Sequence, residues 1–195
     1  MGLALLNNGK YGFSLINDGA GFALSVIKGA RYPRANPGAK DVKHRYQSFP
    51  IPTGFTDQGE QKASMGLLVH SGGWREAKLW EAGYDFNAPL EAVWTTAHKG
   101  KLPAEGSFIS VDSDSAYLGS VKRAEDDGDL VLRLVEATGQ DGSATVRFGQ
   151  GLQVMSAAET DLLELNPSPV SAGGSSLNVS LTPYEIKTVK VNVTR

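Results

Sequence analysis

Four stretches in the second half of the chain carry large apolar residues at every second position, and this pattern limits the fold more than any other feature. These positions are Leu130, Leu132 and Leu134, then Ala144, Val146 and Phe148, then Leu177, Val179 and Leu181, and finally Val189, Val191 and Val193. A period of two places alternate side chains on one face of a β-strand. Clusters rich in Gly and Asp separate the stretches, at 126–129, 140–142 and 173–174. Short strands joined by such turns predict a small antiparallel β-sandwich over residues 105–195.

The first half predicts a second β lobe over residues 1–100. Two apolar runs flank residues 7–10, whose Asn-Gly pair predicts a hairpin because both residues tolerate positive φ. A turn at 17–19 leads to a predicted strand over 22–27, and a further strand is predicted over 89–96. The segment 29–55 holds four prolines and five basic residues. Because proline denies a donor to a strand ladder, this segment is predicted to be a long surface loop.

Residues 57–84 combine a polar turn, a strand and a helix. The turn is Asp57–Glu60. The apolar positions that alternate after it are Ala63, Met65, Leu67 and Val69, and they predict a strand with this set on its buried face. Apolar or aromatic residues then recur every three or four positions, at Trp74, Ala77, Trp80 and Tyr84. That spacing predicts a short amphipathic helix over residues 73–84.

The predicted fold is therefore all-β, with antiparallel β-sandwich lobes that meet near residues 100–105. The larger N-terminal lobe carries the one short helix, and the C-terminal sandwich is smaller.

With 195 residues, 41% hydrophobic and 21% charged, the chain is long enough to bury a sizeable core. A net charge of −2 argues against nucleic-acid binding, and no run approaches a membrane-spanning helix. The absence of cysteine excludes disulfides and thiolate zinc sites, and it favours a cytoplasmic location.

The turn-strand-helix stretch also carries a family resemblance. Nine of its residues fit the pattern: Asp57, Gly59, Glu60, Leu67, His70, Trp74, Arg75, Glu76 and Ala77. Three further regions fit in the same order, at 2–12, at 102–126, and at 160–164 with 183–188. Together they resemble the C-terminal β region of family 38 glycoside hydrolases, the retaining α-mannosidases. The chain departs from the family at Gln61, Ala63, Met65 and Val69, where His, Phe, Tyr and Pro are usual.

The resemblance implies a role within a larger enzyme. Family 38 enzymes hydrolyse terminal α-mannosides with zinc, and their zinc ligands and nucleophilic Asp belong to an N-terminal catalytic domain that has no counterpart motif here. We therefore expect this chain alone to be inactive, with no catalytic residue, no metal site and no cofactor of its own, although zinc is implied for the parent enzyme. Its expected partners are that catalytic domain and mannoside carbohydrate, with neither nucleic acid nor membrane.

A retaining glycosidase needs two carboxyl groups about 5 Å apart, and three predicted acidic turns of this chain offer candidate carboxyl groups. The acids at 112–114 and 126–129 lie in predicted turns, where carboxylates cap backbone donors, and a structural role is favoured for them. Asp57 and Glu60, with His70, are the candidates for residues near the substrate, because the resemblance is densest around them. The competing interpretation is a solvated turn.

Two other classes of function stay open. The chain is consistent with a stand-alone carbohydrate-binding β-sandwich module, whose aromatic side chains stack on sugar rings, or with a purely structural partner domain. Exposed rows of aromatic residues on one sheet would favour carbohydrate binding. A wide, uncovered apolar face near the N-terminus would favour part of a larger enzyme.

Overall fold

The computed structural model describes residues 1–29 and 58–194. By its internal contacts the chain divides into two compact units, Met1–Leu90 and Glu91–Arg195, here called unit 1 and unit 2. The long loop predicted over 29–55 lies outside the described residues, and so does Asp57. The predicted lobe boundary near residues 100–105 stays a prediction.

The described part of unit 1 contains two separate two-stranded sheets and one helix. Its elements are β1 (Gly2–Asn7), β2 (Phe13–Ile16), β3 (Gly21–Leu24), β4 (Met65–His70) and α1 (Leu79–Asn87). Strand β1 pairs antiparallel with β4, and β2 pairs antiparallel with β3. The predicted turn at 17–19 is confirmed as a short 3₁₀ turn between β2 and β3, in which Asn17 and Asp18 adopt φ values of 51° and 52°.

The hairpin predicted at the Asn-Gly pair is wrong, because β1 pairs with β4 and not with β2. The two asparagine side chains explain the difference. Asn7 Oδ1 accepts a hydrogen bond from the Lys10 N–H at 2.7 Å, and Asn8 Oδ1 accepts one from the Ser64 N–H at 2.8 Å. The second bond holds the end of β1 to a residue just before β4, so the ribbon continues with a distant strand.

The predicted buried face of β4 is also wrong. Met65, Leu67 and Val69 are exposed, whereas the opposite side of the strand is partly buried. Helix α1 covers that opposite side at Gly66, where an added Cβ would lie only 3.2 Å from a ring carbon of Phe86. The absence of a side chain at this glycine therefore lets the helix pack on this face.

The helix itself starts later than predicted. Residue Lys78 has a φ of 46°, in the left-handed region, so the turns over residues 74–78 do not continue into α1, which begins at Leu79.

The strand predicted over 89–96 is wrong, since the segment from 88 to 108 has no regular structure. Its apolar side chains are exposed, with Trp94 98% accessible. Extended residues form a strand only when a neighbouring strand is available, and the described residues provide none here.

Unit 2 is a two-layer antiparallel sandwich. Its strands are β5 (Ile109–Asp112), β6 (Ala116–Arg123), β7 (Leu130–Glu136), β8 (Gly142–Phe148), β9 (Gln153–Thr160), β10 (Ser168–Val170), β11 (Ala172–Gly173), β12 (Ser176–Leu181) and β13 (Ile186–Thr194). One sheet has the order β10-β9-β13-β7-β6, and the other has the order β11-β12-β8-β5. The predicted all-β fold with one short helix is confirmed.

Most of the predicted core positions of the sandwich are confirmed, whereas Leu130 and Val193 are only partly buried. Leu132, Leu134, Val189 and Val191 face inward from the five-stranded sheet, and the other sheet contributes a matching apolar set. That set is Ala144, Val146, Phe148, Leu177, Val179 and Leu181. Each large apolar side chain buried in this way stabilises the fold by about 1.5–3 kcal/mol. The closing strand begins at Ile186, and Tyr184 lies in the preceding turn with a φ of 57°.

Candidate functional site

The outward face of the β1–β4 ribbon is apolar and uncovered. Leu3 pairs with Val69 and Leu5 pairs with Leu67, and directly paired residues of antiparallel strands lie on the same face. Leu3 is 52% exposed, Leu67 69% and Val69 63%. The opposite face is the one that α1 covers. Unit 1 thus has a sheet with helix packing on one side and bare apolar side chains on the other.

The hairpin β2–β3 displays a second apolar face. Phe13 pairs with Leu24, and Leu15 pairs with Phe22, so these four side chains share one side of the hairpin. Phe13 and Leu15 are largely exposed. A short two-stranded hairpin has little stability of its own in water, so it depends on whatever packs against this face.

One cleft of about 740 Å³ in unit 1 is lined by Leu3 and Leu5 from the ribbon and by the apolar face of the hairpin. Its walls come from the leucines of β1 and from the four paired residues of the hairpin, with Tyr11 and the end of α1 completing the rim. Asn87 Nδ2 donates hydrogen bonds to the Asn7 and Gly83 carbonyls, at 3.1 and 2.9 Å, and Asn7 Oδ1 accepts one from Lys10 N–H. These amide groups at the rim serve the local backbone, so the cleft presents mainly apolar surface. We call this surface the cleft face.

The predicted substrate-side residues do not form a cluster in the described part of the chain. Asp57 lies outside it. Glu60 is highly exposed, and its Oε1 lies 3.3 Å from Lys62 Nζ. His70 ends β4, where its ring packs against Gly2 and its Nδ1 lies 3.3 Å from the Ser71 carbonyl oxygen. Glu60 precedes β4 and His70 terminates it, and the five steps along that strand span about 17 Å.

The tryptophans after β4 pack on each other. The Trp74 and Trp80 rings meet edge to face, with centroids 6.2 Å apart and an angle of 85°. The Arg75 guanidinium lies over the Trp74 ring, 4.4 Å from its centroid, in a cation–π contact. A sugar ring would need a free aromatic face, and Arg75 occupies one face of Trp74. The pair therefore acts as local packing at the start of the helix.

The most strongly perturbed carboxyl group in the described chain is Glu136, which the sequence did not single out. It is 1% exposed, and it accepts hydrogen bonds from the Thr138 hydroxyl and from the N–H groups of Thr138, Gly139 and Tyr184. Burial by itself would raise the pKa of this carboxyl, but the hydrogen bonds, led by the Thr138 hydroxyl, outweigh it and lower the pKa to about 2. Every bond ties the end of β7 to a turn, so the role of Glu136 is structural.

The remaining acidic turns are also engaged locally. Asp112 lies 3.3 Å from the Arg147 guanidinium, Asp127 accepts the Asp129 N–H at 2.9 Å, and Asp129 Oδ1 accepts Asn192 Nδ2 at 2.6 Å. Within residues 1–29 and 58–194, no three His, Cys, Asp or Glu side chains form a group able to hold a metal ion. These described residues do not fit a zinc site. In the same ranges, no helix is both long and apolar enough to cross a membrane.

Comparison with known proteins gives two consistent findings. Residues 115–189, from just before β6 into β13, match the family described as "Glycosyl hydrolases family 38 C-terminal beta sandwich domain". Mouse alpha-mannosidase 2C1 is 30% identical over 200 residues, which cover 96% of this chain and 16% of the mouse protein. The chain belongs to glycosyl hydrolase family 38 and corresponds to its C-terminal region.

Two other mannosidases agree with this family 38 assignment. The human alpha-mannosidase 2C1 is 29% identical over 95% of the chain, and alpha-mannosidase G of Dictyostelium discoideum is 28% identical over 97% of it. In each case the chain spans only 16% of the length of the relative. Because the alignments cover nearly the whole chain, the family 38 similarity extends through unit 1 as well as unit 2.

Proposed function

We propose that this chain is the C-terminal β region of an α-mannosidase that hydrolyses terminal α-mannosides, and that its cleft face packs against the catalytic part of that enzyme. One observation carries the proposal. No described residue of unit 1 is buried, although its strands and helix hold leucine, phenylalanine and tryptophan side chains throughout. The described part of unit 1 therefore buries no core, and another surface would complete it.

The size and chemistry of the cleft face support a protein occupant. Monomeric proteins rarely leave a large contiguous apolar surface in water, and such surfaces usually mark an interface. Full burial of one Leu or Phe side chain contributes about 1.5–3 kcal/mol, so covering Leu3, Phe13 and Leu15 of the cleft face would stabilise unit 1 substantially. The polypeptide outside the matched region of the relatives is long enough to provide that cover.

The alternative, a stand-alone carbohydrate-binding module, has less support. Sugar sites combine an open aromatic face with polar groups that converge on the sugar hydroxyls. In unit 1, Phe13 and Phe22 share their face with leucines, Arg75 covers Trp74, and Asn87 bonds to the local backbone. Mannoside contact is therefore proposed for the complete enzyme. A cytoplasmic location belongs to the same proposal and rests on the cysteine-free sequence.

The turn Asp57–Glu60, with His70, is proposed to lie near the sugar in the complete enzyme. Carboxylates held before a strand can accept hydrogen bonds from sugar hydroxyls or orient an arginine of the catalytic part. Asp57→Asn with Glu60→Gln should lower kcat/KM roughly tenfold, as for loss of a charge-assisted contact of about 1.5–3 kcal/mol. Full activity of this double variant, with an unchanged melting temperature, would limit the turn to a scaffold role.

The docking proposal can be tested by co-expression. The 195-residue chain would be produced together with mouse alpha-mannosidase 2C1 from which the matched region has been deleted. We expect a stable complex that hydrolyses an aryl α-mannoside, and no hydrolysis by the chain alone. Leu3→Ser with Leu15→Ser should abolish the complex, because both side chains line the cleft.

The matched control is Val121→Ser, which changes an exposed apolar strand residue of unit 2. It should leave complex formation unchanged. Turnover by the purified chain alone would contradict the assignment of the chemistry to the catalytic part. A complex that tolerates the cleft variant as well as the control would contradict docking through the cleft face.

A further inference from the structure

The connection between β9 and β10 in unit 2 displays three leucines to solvent. It covers residues 161–166, here called the leucine loop. Leu162 is 55% exposed, Leu163 77% and Leu165 53%. Three leucines are unusual in one short surface turn, where Gly, Pro, Asn, Asp and Ser are the common residues.

The backbone of the loop is held from within by Asp161. Its Oδ1 accepts the N–H groups of Leu163 and Leu165, both at 2.9 Å, and its Oδ2 accepts Asn166 Nδ2 at 2.8 Å. The Asp161 N–H in turn donates to the Leu165 carbonyl at 3.1 Å. One carboxylate thus fixes the path of the whole turn.

The loop is also fastened to the sheet beneath it. Glu164 is held with a φ of 67°, and its side chain is only 8% exposed. Its Oε1 lies 2.7 Å from Lys122 Nζ, and its Oε2 accepts the Glu125 N–H at 3.2 Å. Arg133 donates to the Leu162 carbonyl at 3.1 Å. The left-handed backbone at a glutamate is unfavourable by itself, and these contacts hold it in place.

The arrangement separates polar from apolar groups. The carboxylates of Asp161 and Glu164 point into the loop and toward the sheet, and the leucine side chains are left at the tip. A rigid base under an apolar tip lowers the ordering cost of binding, because little conformational freedom remains to be lost. It offers nothing to a sugar or a phosphate, and it matches an apolar protein pocket.

We propose that the leucine loop is a second docking element, which inserts its leucines into an apolar pocket on the catalytic part of the mannosidase. This inference rests on the proposed function, and it concerns unit 2, whereas the cleft face belongs to unit 1. The occupant follows from length, since the chain accounts for only 16% of the mouse relative and the remaining polypeptide is available to bind it.

The test uses the full chain and mouse alpha-mannosidase 2C1 lacking the matched region, co-expressed as above. The first variant changes Leu162, Leu163 and Leu165 to serine together. Loss of three anchors at an interface should weaken the complex about 100-fold or more, while the melting temperature of the chain alone stays unchanged. The second variant, Asp161→Asn, keeps the leucines and loosens the loop, and it should weaken the complex about tenfold.

Met155→Ser is the matched control, because Met155 is an exposed apolar residue of β9, the strand that leads into the loop. It should bind like the unchanged chain. Equal binding by the triple-serine variant would overturn the inference and leave the proposed function standing. If the unchanged chain forms no complex, the proposed function and the inference fall together. A dimer of the chain alone that the triple-serine change dissociates would assign the loop to a second copy and overturn the inference.

Discussion

Unit 1 and unit 2 have similar lengths and both contain antiparallel strands, yet among the described residues only unit 2 closes a core. Fifteen hydrophobic residues are buried in the described chain, from Ala116 to Val191, and all of them belong to unit 2. In unit 1 the two ribbons and the helix leave their apolar side chains at least partly exposed. Strand content alone therefore does not make an independent domain.

The difference lies in how many layers each unit contains. Unit 2 stacks a five-stranded sheet on a four-stranded sheet, so the inner face of each is covered by the other. In the described part of unit 1, the β1–β4 ribbon has a helix on one face, and on its other face β1 and the β2–β3 hairpin line an open cleft. The sandwich of unit 2 thus buries its own apolar faces, whereas the apolar side chains described in unit 1 stay at least partly exposed.

The largest test of this comparison places the same substitution in each unit. Val191 in β13 is fully buried, and Val69 in β4 is 63% exposed. Val191→Asp should destabilise unit 2 by about 4 kcal/mol or more, because it buries an unpaired charge. Val69→Asp should leave the melting temperature of the isolated chain nearly unchanged. Urea unfolding of both variants checks this, and equal losses would mean that the units do not differ in this way.

A smaller effect is expected at Glu136, which fastens β7 to its neighbouring turns in unit 2. Glu136→Gln should cost about 2 kcal/mol, because an amide replaces one of the accepting oxygens. The folded pKa of this carboxyl, about 2, is lower than its ordinary value of 4.5. Its contribution is therefore complete above pH 4.5 and is lost as the pH falls toward 2.

The measurement for Glu136 is the urea midpoint of the unchanged chain and of the glutamine variant between pH 2 and pH 7. The two midpoints should converge as the pH falls, because the unchanged chain alone loses this contribution. A constant difference down to pH 2 would show that the carboxylate charge does not stabilise unit 2.

The smallest expected effect is a difference in how much two ion pairs, one in each unit, raise the melting temperature. Lys122 beside Glu164 holds the pKa of that carboxyl below its usual range in unit 2, whereas Glu60 and Lys62 form a solvent-exposed pair in unit 1. Glu164→Gln should lower the melting temperature by a few degrees at neutral pH and by less in acid. Glu60→Gln should have no measurable effect, as is usual for exposed pairs. Calorimetry at two pH values distinguishes the variants.

The sequence predicted unit 2 well because each of its main strands shows its own alternation of apolar residues. The alternation at Leu132, Val146 and Val189 specifies both a strand and a buried face, since the opposite positions are mostly polar or partly exposed. Glu136 escaped prediction because its partners are turn residues, and one of them, Tyr184, lies 48 residues away along the chain. Local periodicity cannot identify such a contact.

Unit 1 was predicted less well for a related reason. Around β4, apolar residues occur on both faces, and only the position of α1 against Gly66 decides which face is covered. The Asn-Gly pair carried a strong hairpin signal, but Asn8 bonds to Ser64, far along the chain. Among the candidate site residues, Glu60 and His70 stand in the predicted turn and strand, and their role near the substrate stays a prediction.

The pairing of β1 with β4 has a consequence in time. On a ribosome that adds about 5–20 residues per second, β4 is completed roughly 60 residues after β1, so β1 spends several seconds without its partner. Both of its faces and both of its edges are open during that interval, and an unpaired apolar strand is a site for aggregation. Unit 1 is therefore open to aggregation during synthesis for longer than a local hairpin would be.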